Sequence, residues 1–225
     1  MTSMPKSSPT RAIVRLWLAD RPGMLGEIAT MLGQLGVDVV GIDILERTRQ
    51  LAVDELSLEF DQTKVDLSTI ATSLASIDGV GVEDARVRSL ESVDHGDLLM
   101  TASQITRLPQ KEFLASMLAM VSATIDATWG AVVRGQQVIA IVGQSPSPAW
   151  IASYVAGKAM ALQDDEVSEE VFSITDPQTG DAVVIARLGR PLRLRERQSL
   201  RCIAEIALFV EHSLTEQATA SERES

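Results

Sequence analysis

Asp20-Arg21-Pro22-Gly23 sets a carboxylate, a guanidinium and a glycine immediately ahead of a stripe of apolar residues at helical spacing. Pro22 suits the first turn of a helix, where its missing N–H has no intrahelical partner in any case. A loop ending on a helix start presents backbone N–H groups without intrahelical acceptors, and the helix dipole there favours a carboxylate. Gly23 lets a ligand approach the backbone closely. Met24 and Leu25 continue the loop into the helix, and Asp38 and Val39 stand where the next strand begins. A carboxylate at Asp38 could accept from an ammonium group. The candidate binding residues are therefore Asp20, Arg21, Pro22, Gly23, Met24, Leu25, Asp38 and Val39. The chemistry they suggest is reversible capture of a small molecule.

Other reactive side chains are scattered. Arg187, Arg190, Arg193, Arg195, Arg197 and Arg201 make a dense basic run. It could grip an anionic ligand or an acidic partner surface. It could equally be a solvated strand end and helix start offsetting Asp164, Asp165, Glu166, Glu169 and Glu170, and that reading is preferred. Asp164-Asp165-Glu166 lacks the alternation and glycine of a calcium loop. His95 and His212 have no Cys or His neighbours at ligand spacing, so no metal is expected. Gly79-Val80-Gly81 does not open a dinucleotide-binding unit. Neither phosphate-loop nor Gly-x-Ser-x-Gly spacing occurs. No acid–base or nucleophile pair can be assembled, so the expectation is a protein that is not an enzyme and needs no cofactor.

The elements that must position the loop follow from periodicity. Residues 11–18 alternate, with Val14, Leu16 and Leu18 on the better-buried face and Ile13, Arg15 and Trp17 on the other. Leu25, Ile28, Ala29, Leu32 and Leu35 recur at 3.6 spacing, and Gly36 closes that helix. Residues 37–45 form a second strand, with Val40, Ile42 and Ile44 on one face. A third strand carries Ala52, Leu56, Leu58 and Phe60, with Asp54 the polar exception. Asp66 caps a second helix bearing Leu67, Ile70, Ala71, Leu74 and Ile77. Residues 80–87 form a fourth strand. The order is βαββαβ, a ferredoxin-like arrangement.

Beyond a polar stretch, a helix is expected over 110–128, strands over 129–133 and 138–142, and a helix from Ser147-Pro148. Strands follow over 170–175 and 182–188, then a closing helix over 195–214. Helices flanking a strand-rich middle predict an α+β sheet domain. The predicted organisation is a disordered tail (1–10), a first domain (11–88), a linker (89–108), a second domain (109–214) and a disordered tail (215–225).

Asp20-Arg21-Pro22-Gly23-Met24-Leu25, followed by Gly36-Val37-Asp38-Val39, resembles the ACT family, including the serine-sensing regulatory domains of phosphoglycerate dehydrogenases. The resemblance covers 11–88. It implies an amino-acid ligand and pairing of two copies through this domain, with the site at their interface. Trp17 is a candidate contact in that pair. Similar domains commonly carry Asn where this chain has Asp38, and the serine-sensing ones carry His at the place of Leu18, which points away from serine. Trp129-Gly130-Ala131-Val132-Val133, Gly189-Arg190-Pro191-Leu192 and the helix at 196–208 more loosely resemble a GAF-type domain over 109–214. That implies either a second small-molecule pocket or a filled dimerising core.

Composition bounds the remaining classes. The chain has 225 residues, enough for two domains of ordinary size, and a 45% hydrophobic fraction, enough to fill their cores. A net charge of −11 repels phosphate backbones, so no nucleic-acid partner is expected. Cys202 alone cannot form an internal disulfide, and neither a leader segment nor a membrane span is evident. The expected setting is the cytoplasm. The leading reading is a regulatory sensor that binds an amino acid through its first domain and couples it to the second. A dimerising scaffold with an unknown protein partner is the alternative, and an enzyme with an unfamiliar site the third.

Overall fold

The structure, a computed structural model, describes residues 9–88, 98–160 and 169–223. His95, the acidic run at 164–166, most of the first tail and residues 89–97 of the expected linker lie outside the described residues. Two compact units divide the chain, Met1–Ser92 and Val93–Ser225.

The first unit runs β1 (Thr10–Ala19), α1 (Met24–Gln34), β2 (Asp38–Arg47), β3 (Leu51–Phe60), α2 (Leu67–Ala75) and β4 (Val80–Arg88). Its strands pair antiparallel in the order β2-β3-β1-β4, the expected ferredoxin-like arrangement. One sheet face carries Val14, Leu16, Leu18, Leu56 and Leu58. These pack with Met24, Ile28 and Leu32 of α1 and with Ile70 and Leu74 of α2. Fully burying each such side chain stabilises by about 1.5–3 kcal/mol. The helix stripe is narrower than its spacing suggests, because Leu25 is 39% exposed and Ala29 faces solvent.

Both helices of this unit have sequence-encoded ends. Gly36 takes φ +71° just past α1. Its N–H donates to the Gly33 carbonyl and that of Val37 to the Leu32 carbonyl, the paired bonds of a Schellman ending. Asp66 caps α2, its Oδ1 accepting from the Thr69 N–H at 2.7 Å.

β1 departs from expectation. Ile13 and Arg15, assigned to a less-buried face, are as buried as their neighbours. Arg15 lies directly opposite Glu55 in the β1–β3 register and donates to it at 2.8 Å, which allows the charge to be buried. β2 departs too. It is an edge strand with register shifts near Gly41 and Leu45. Val40, Ile42 and Ile44 are about half exposed, and Leu45 is buried instead.

The second unit holds α3 (Leu98–Ile105), a 3-10 turn (Gln110–Glu112), α4 (Phe113–Ile125), β5 (Trp129–Arg134), β6 (Gln137–Gly143), α5 (Pro148–Met160), β7 (Val171–Thr175), β8 (Ala182–Ala186) and α6 (Leu194–Arg223). The sheet order is β6-β5-β8-β7, all antiparallel. Val132, Val183 and Ile185 face a core shared with α3, α4 and α6. Trp129, Ala131, Val133, Val184 and Ala186 face a second core with Ile151 and Val155 of α5. Burial on both sides is why β5 and β8 read as continuous apolar runs.

Two boundaries move. Residues 98–105, expected as linker, form α3, and Ala102 and Ile105 lie in the core. Residues 215–223, expected as tail, continue α6. Polar helix formers extend a helix already nucleated by packing, so low hydrophobicity alone does not end it. His212 lies inside α6. It lies 3.1 Å from Glu216, one turn on.

Candidate functional site

The end of β1 delivers the chain to α1 through Asp20–Gly23, and the folded loop makes one wall of a cleft of about 370 Å³. Backbone bonds pin the loop. The Asp20 N–H donates to the Gln50 carbonyl at 2.9 Å and the Ala19 N–H to the Gly79 carbonyl at 2.8 Å. Gly23 precedes α1 with φ +94°, a conformation L side chains rarely adopt, and a Cβ there would meet only open space. No side chain caps α1, in contrast to α2. The first-turn N–H groups at the cleft thus lack a side-chain acceptor.

Gly79 closes the structure beside the loop. With φ +80°, a Cβ there would sit 2.9 Å from Ala19 Cβ and 3.3 Å from Met24 Cε, both residues of the cleft wall. Only glycine allows the turn into β4 to approach this closely.

Charge at the cleft is organised by Arg47, the last residue of β2. Its guanidinium donates to both oxygens of Asp20, at 2.9 and 3.0 Å. Asp20 in turn raises the Arg47 pKa, chiefly through that hydrogen bond. Arg21 makes a second bidentate pair, with Glu27 on the first turns of α1, at 2.7 and 3.0 Å. That pair holds Glu27 below the usual carboxylate range.

Asp54 lies deepest. It projects from the central strand β3, opposite Leu16 on β1 and Ile44 on β2. It lines the cleft at 3% exposure. Its Oδ1 is buried and has no hydrogen-bond partner among the described residues. Burial pushes the Asp54 carboxyl above its ordinary value, the Asp20 charge adds to the rise, and Arg47 opposes it.

Six of the eight sequence-assigned residues meet here: Asp20, Arg21, Pro22, Gly23, Met24 and Leu25. Asp38 and Val39 do not. They pair with Glu59 and Leu58, and Arg47 pairs with Ala52 near the other end of β3. The nine residue steps from Asp38 to Arg47 span about 30 Å of strand. The reason is the crossover: β2 starts where α1 ends, whereas the cleft lies where α1 begins. Residues the sequence did not assign take their place, namely Ile44, Arg47, Ala52 and Asp54. Asp54 alone carried a signal, as the one carboxylate on an apolar face.

In the second unit two arginines of the run, Arg187 and Arg193, are buried, whereas Arg195 and Arg201 are exposed. Arg187 is 2% exposed and pairs with both Glu196 oxygens at 2.7 and 2.8 Å. It also donates to the Ile125 and Pro191 carbonyls. Glu196 additionally accepts from the Arg193 N–H at the start of α6. Arg190 approaches Asp126 at 3.4 Å, and Arg193 approaches Glu169 at 3.7 Å. The run thus joins strand, loop and helix. A surface cleft of about 570 Å³ runs from the turn after β7 to α6, by Pro177, Arg201, Phe209 and His212. Trp150 stacks on Tyr154 at 5.4 Å and meets Trp129 edge-on. Cys202 is a free, exposed thiol on α6. Among the described residues no group of His, Cys, Asp or Glu could hold a metal ion. Nor is any described helix long and apolar enough to cross a membrane.

No family model matches the chain, and no curated protein does. Solved structures give only distant likenesses. A GAF domain from Pseudomonas syringae pv. tomato is 14% identical over 55% of this chain and 89% of its own, with a TM-score of 0.32. An unknown protein from Galdieria sulphuraria is 14% identical over 92% and 94%, with a TM-score of 0.34. An uncharacterized protein from Thermotoga maritima is 17% identical over 36% and 100%, with a TM-score of 0.29. Likenesses at this level carry no argument about the chain. Its own topology shows a ferredoxin-like unit followed by an α+β sheet unit with flanking helices.

Proposed function

We propose that the chain is a ligand-responsive regulatory protein whose first unit, of ACT type, binds an amino acid in the cleft at 18–26, and that binding is coupled to the second, GAF-like unit. The observation that carries this reading is the cleft itself: a helix start with no side-chain cap, a glycine held at positive φ, and charged groups placed on both sides. An amino acid offers a carboxylate for the helix start and an ammonium for the carboxylates. Regulation requires the ligand to prefer one of two states of the protein.

The half-exposed Val40, Ile42 and Ile44 on edge strand β2 support pairing of two copies. Asp38 and Val39 are remote from the cleft of their own unit, so they enter this reading only as contributions to the cleft of a second copy.

Calorimetric titration and thermal unfolding of the full chain against the twenty amino acids test the reading. A ligand at a hundredfold its dissociation constant stabilises the native state by about 2.7 kcal/mol. The expected result is one or a few amino acids that bind and raise a transition midpoint. Asp38→Ala is expected to weaken that binding and leave the fold intact; unchanged affinity removes Asp38 and the shared cleft. If no amino acid binds, the amino-acid reading fails and the dimerising scaffold takes its place.

A further inference from the structure

We propose that Asp54 is the recognition group of the cleft, and that it selects ligands carrying a protonated amine, which enters first and is held against its carboxylate. The inference rests on the reading of the cleft as a ligand site and says which end of the ligand goes in and what receives it.

The charges around the cleft decide it. Asp20 and Arg47 satisfy each other through two hydrogen bonds, so together they present no net charge to a ligand. Arg21 and Glu27 do the same at the mouth. Asp54 is the charge left over. It is nine-tenths and more removed from solvent, it lines the cleft, and one of its oxygens has no donor. A buried carboxylate oxygen without a donor costs free energy, and all the other large side chains on that face of β3 are apolar: Leu56, Leu58 and Phe60. A residue kept only for packing would be apolar there as well. An ammonium brings three donors and the compensating charge. The outer end of the ligand then lies toward Gly23 and the first turn of α1, whose N–H groups suit a carboxylate but do not require one. Amine recognition at Asp54 is therefore separable from amino-acid recognition.

The full chain is titrated calorimetrically with three sets of probes: the twenty amino acids, their N-acetyl forms, and the simple amines butylamine and 1,4-diaminobutane. Wild type is compared with Asp54→Asn and Asp54→Leu, and the unfolding midpoint of each ligand-free protein is measured. The proposal expects N-acetylation to abolish binding. It expects Asp54→Asn to weaken amine binding roughly ten- to hundredfold, the loss of a charged hydrogen bond. It also expects the ligand-free midpoint to hold or rise in both variants, because an uncompensated buried charge has been removed.

If amino acids bind, but their N-acetyl forms bind as well and Asp54→Asn changes nothing, the inference is overturned and the amino-acid reading stands. Should only the simple amines bind, in an Asp54-dependent way, the inference stands and the amino-acid reading falls. If no probe binds wild type, both fail. If both variants lose stability while N-acetylated probes still bind, Asp54 is a structural polar group and the inference fails. The N-acetyl comparison needs no variant, so a variant that does not fold leaves the proposal open to refutation.

Discussion

Asp54 and Asp66 are the same side chain in opposite circumstances. Asp66 accepts from the Thr69 N–H and the Ser68 hydroxyl, both at 2.7 Å, and these bonds hold its carboxyl below the usual range, the Thr69 N–H most of all. Asp54 is buried with an oxygen that has no partner, and its carboxyl is pushed up. The depressed group favours folding when ionised. Its contribution is therefore present above the unfolded carboxyl value of about 3.9 and is lost as pH falls through the lower folded value. Asp66→Ala should lower the denaturant midpoint at neutral pH, and the gap to wild type should close in acid, below the folded value. A gap that stays constant with pH would mean that the cap acts without its charge. Asp66 was legible in the sequence because a cap is a local pattern, with donor and acceptor three residues apart. The role of Asp54 was legible only as an anomaly, one carboxylate among apolar neighbours.

At the scale of the element, α6 separates what composition shows from what packing shows. Leu200 (1% exposed) sits in the core with Ile203, Ala204 and Ala207, whereas Phe209 (72% exposed) rides the outer face by the surface cleft. Leu200→Ala should cost about 2–5 kcal/mol as a core cavity. Phe209→Ala should stay within about 0.5 kcal/mol, as for an exposed site. Denaturant unfolding of both variants checks the pair, and equal costs would mean that Phe209 is covered in solution. The 3.6-residue stripe on α6 was readable from residue 200 onward. Its extension through 215–223 was not, since helix propagation depends on the turn already formed. Strand β2 shows the converse. Its alternation is plain, but edge position and register shifts leave Val40, Ile42 and Ile44 half exposed. A period of two cannot say how much of a face the helices cover.

For the molecule as a whole, charge and topology lead to different kinds of statement. The net charge of −11 disfavours a polyanion, and Arg187, Arg190 and Arg193 are engaged in ion pairs with Glu196, Asp126 and Glu169. The full chain should show no affinity for duplex DNA at physiological salt in a mobility-shift titration. Salt-sensitive binding would instead show that a basic surface persists. Each unit has its own sheet and helices. Both were foreseen from the order of elements, because each helix and strand declares its period within its own length. The helix at 98–105 was missed, because its short apolar stretch sits in a polar stretch that reads as linker.

The sequence by itself determined the βαββαβ order, the glycine and aspartate ends of the helices, and the residues that form the loop between β1 and α1. All of these are set by neighbours a few residues apart. Only the tertiary structure decided which distant residues complete the cleft. Asp20 meets Arg47 across 27 residues of chain, and Asp54 reaches the same cleft from the middle of β3. Asp38, far closer in sequence, ends up at the other end of the sheet. Strand register and the direction of the crossover set those distances, and both are properties of the assembled sheet.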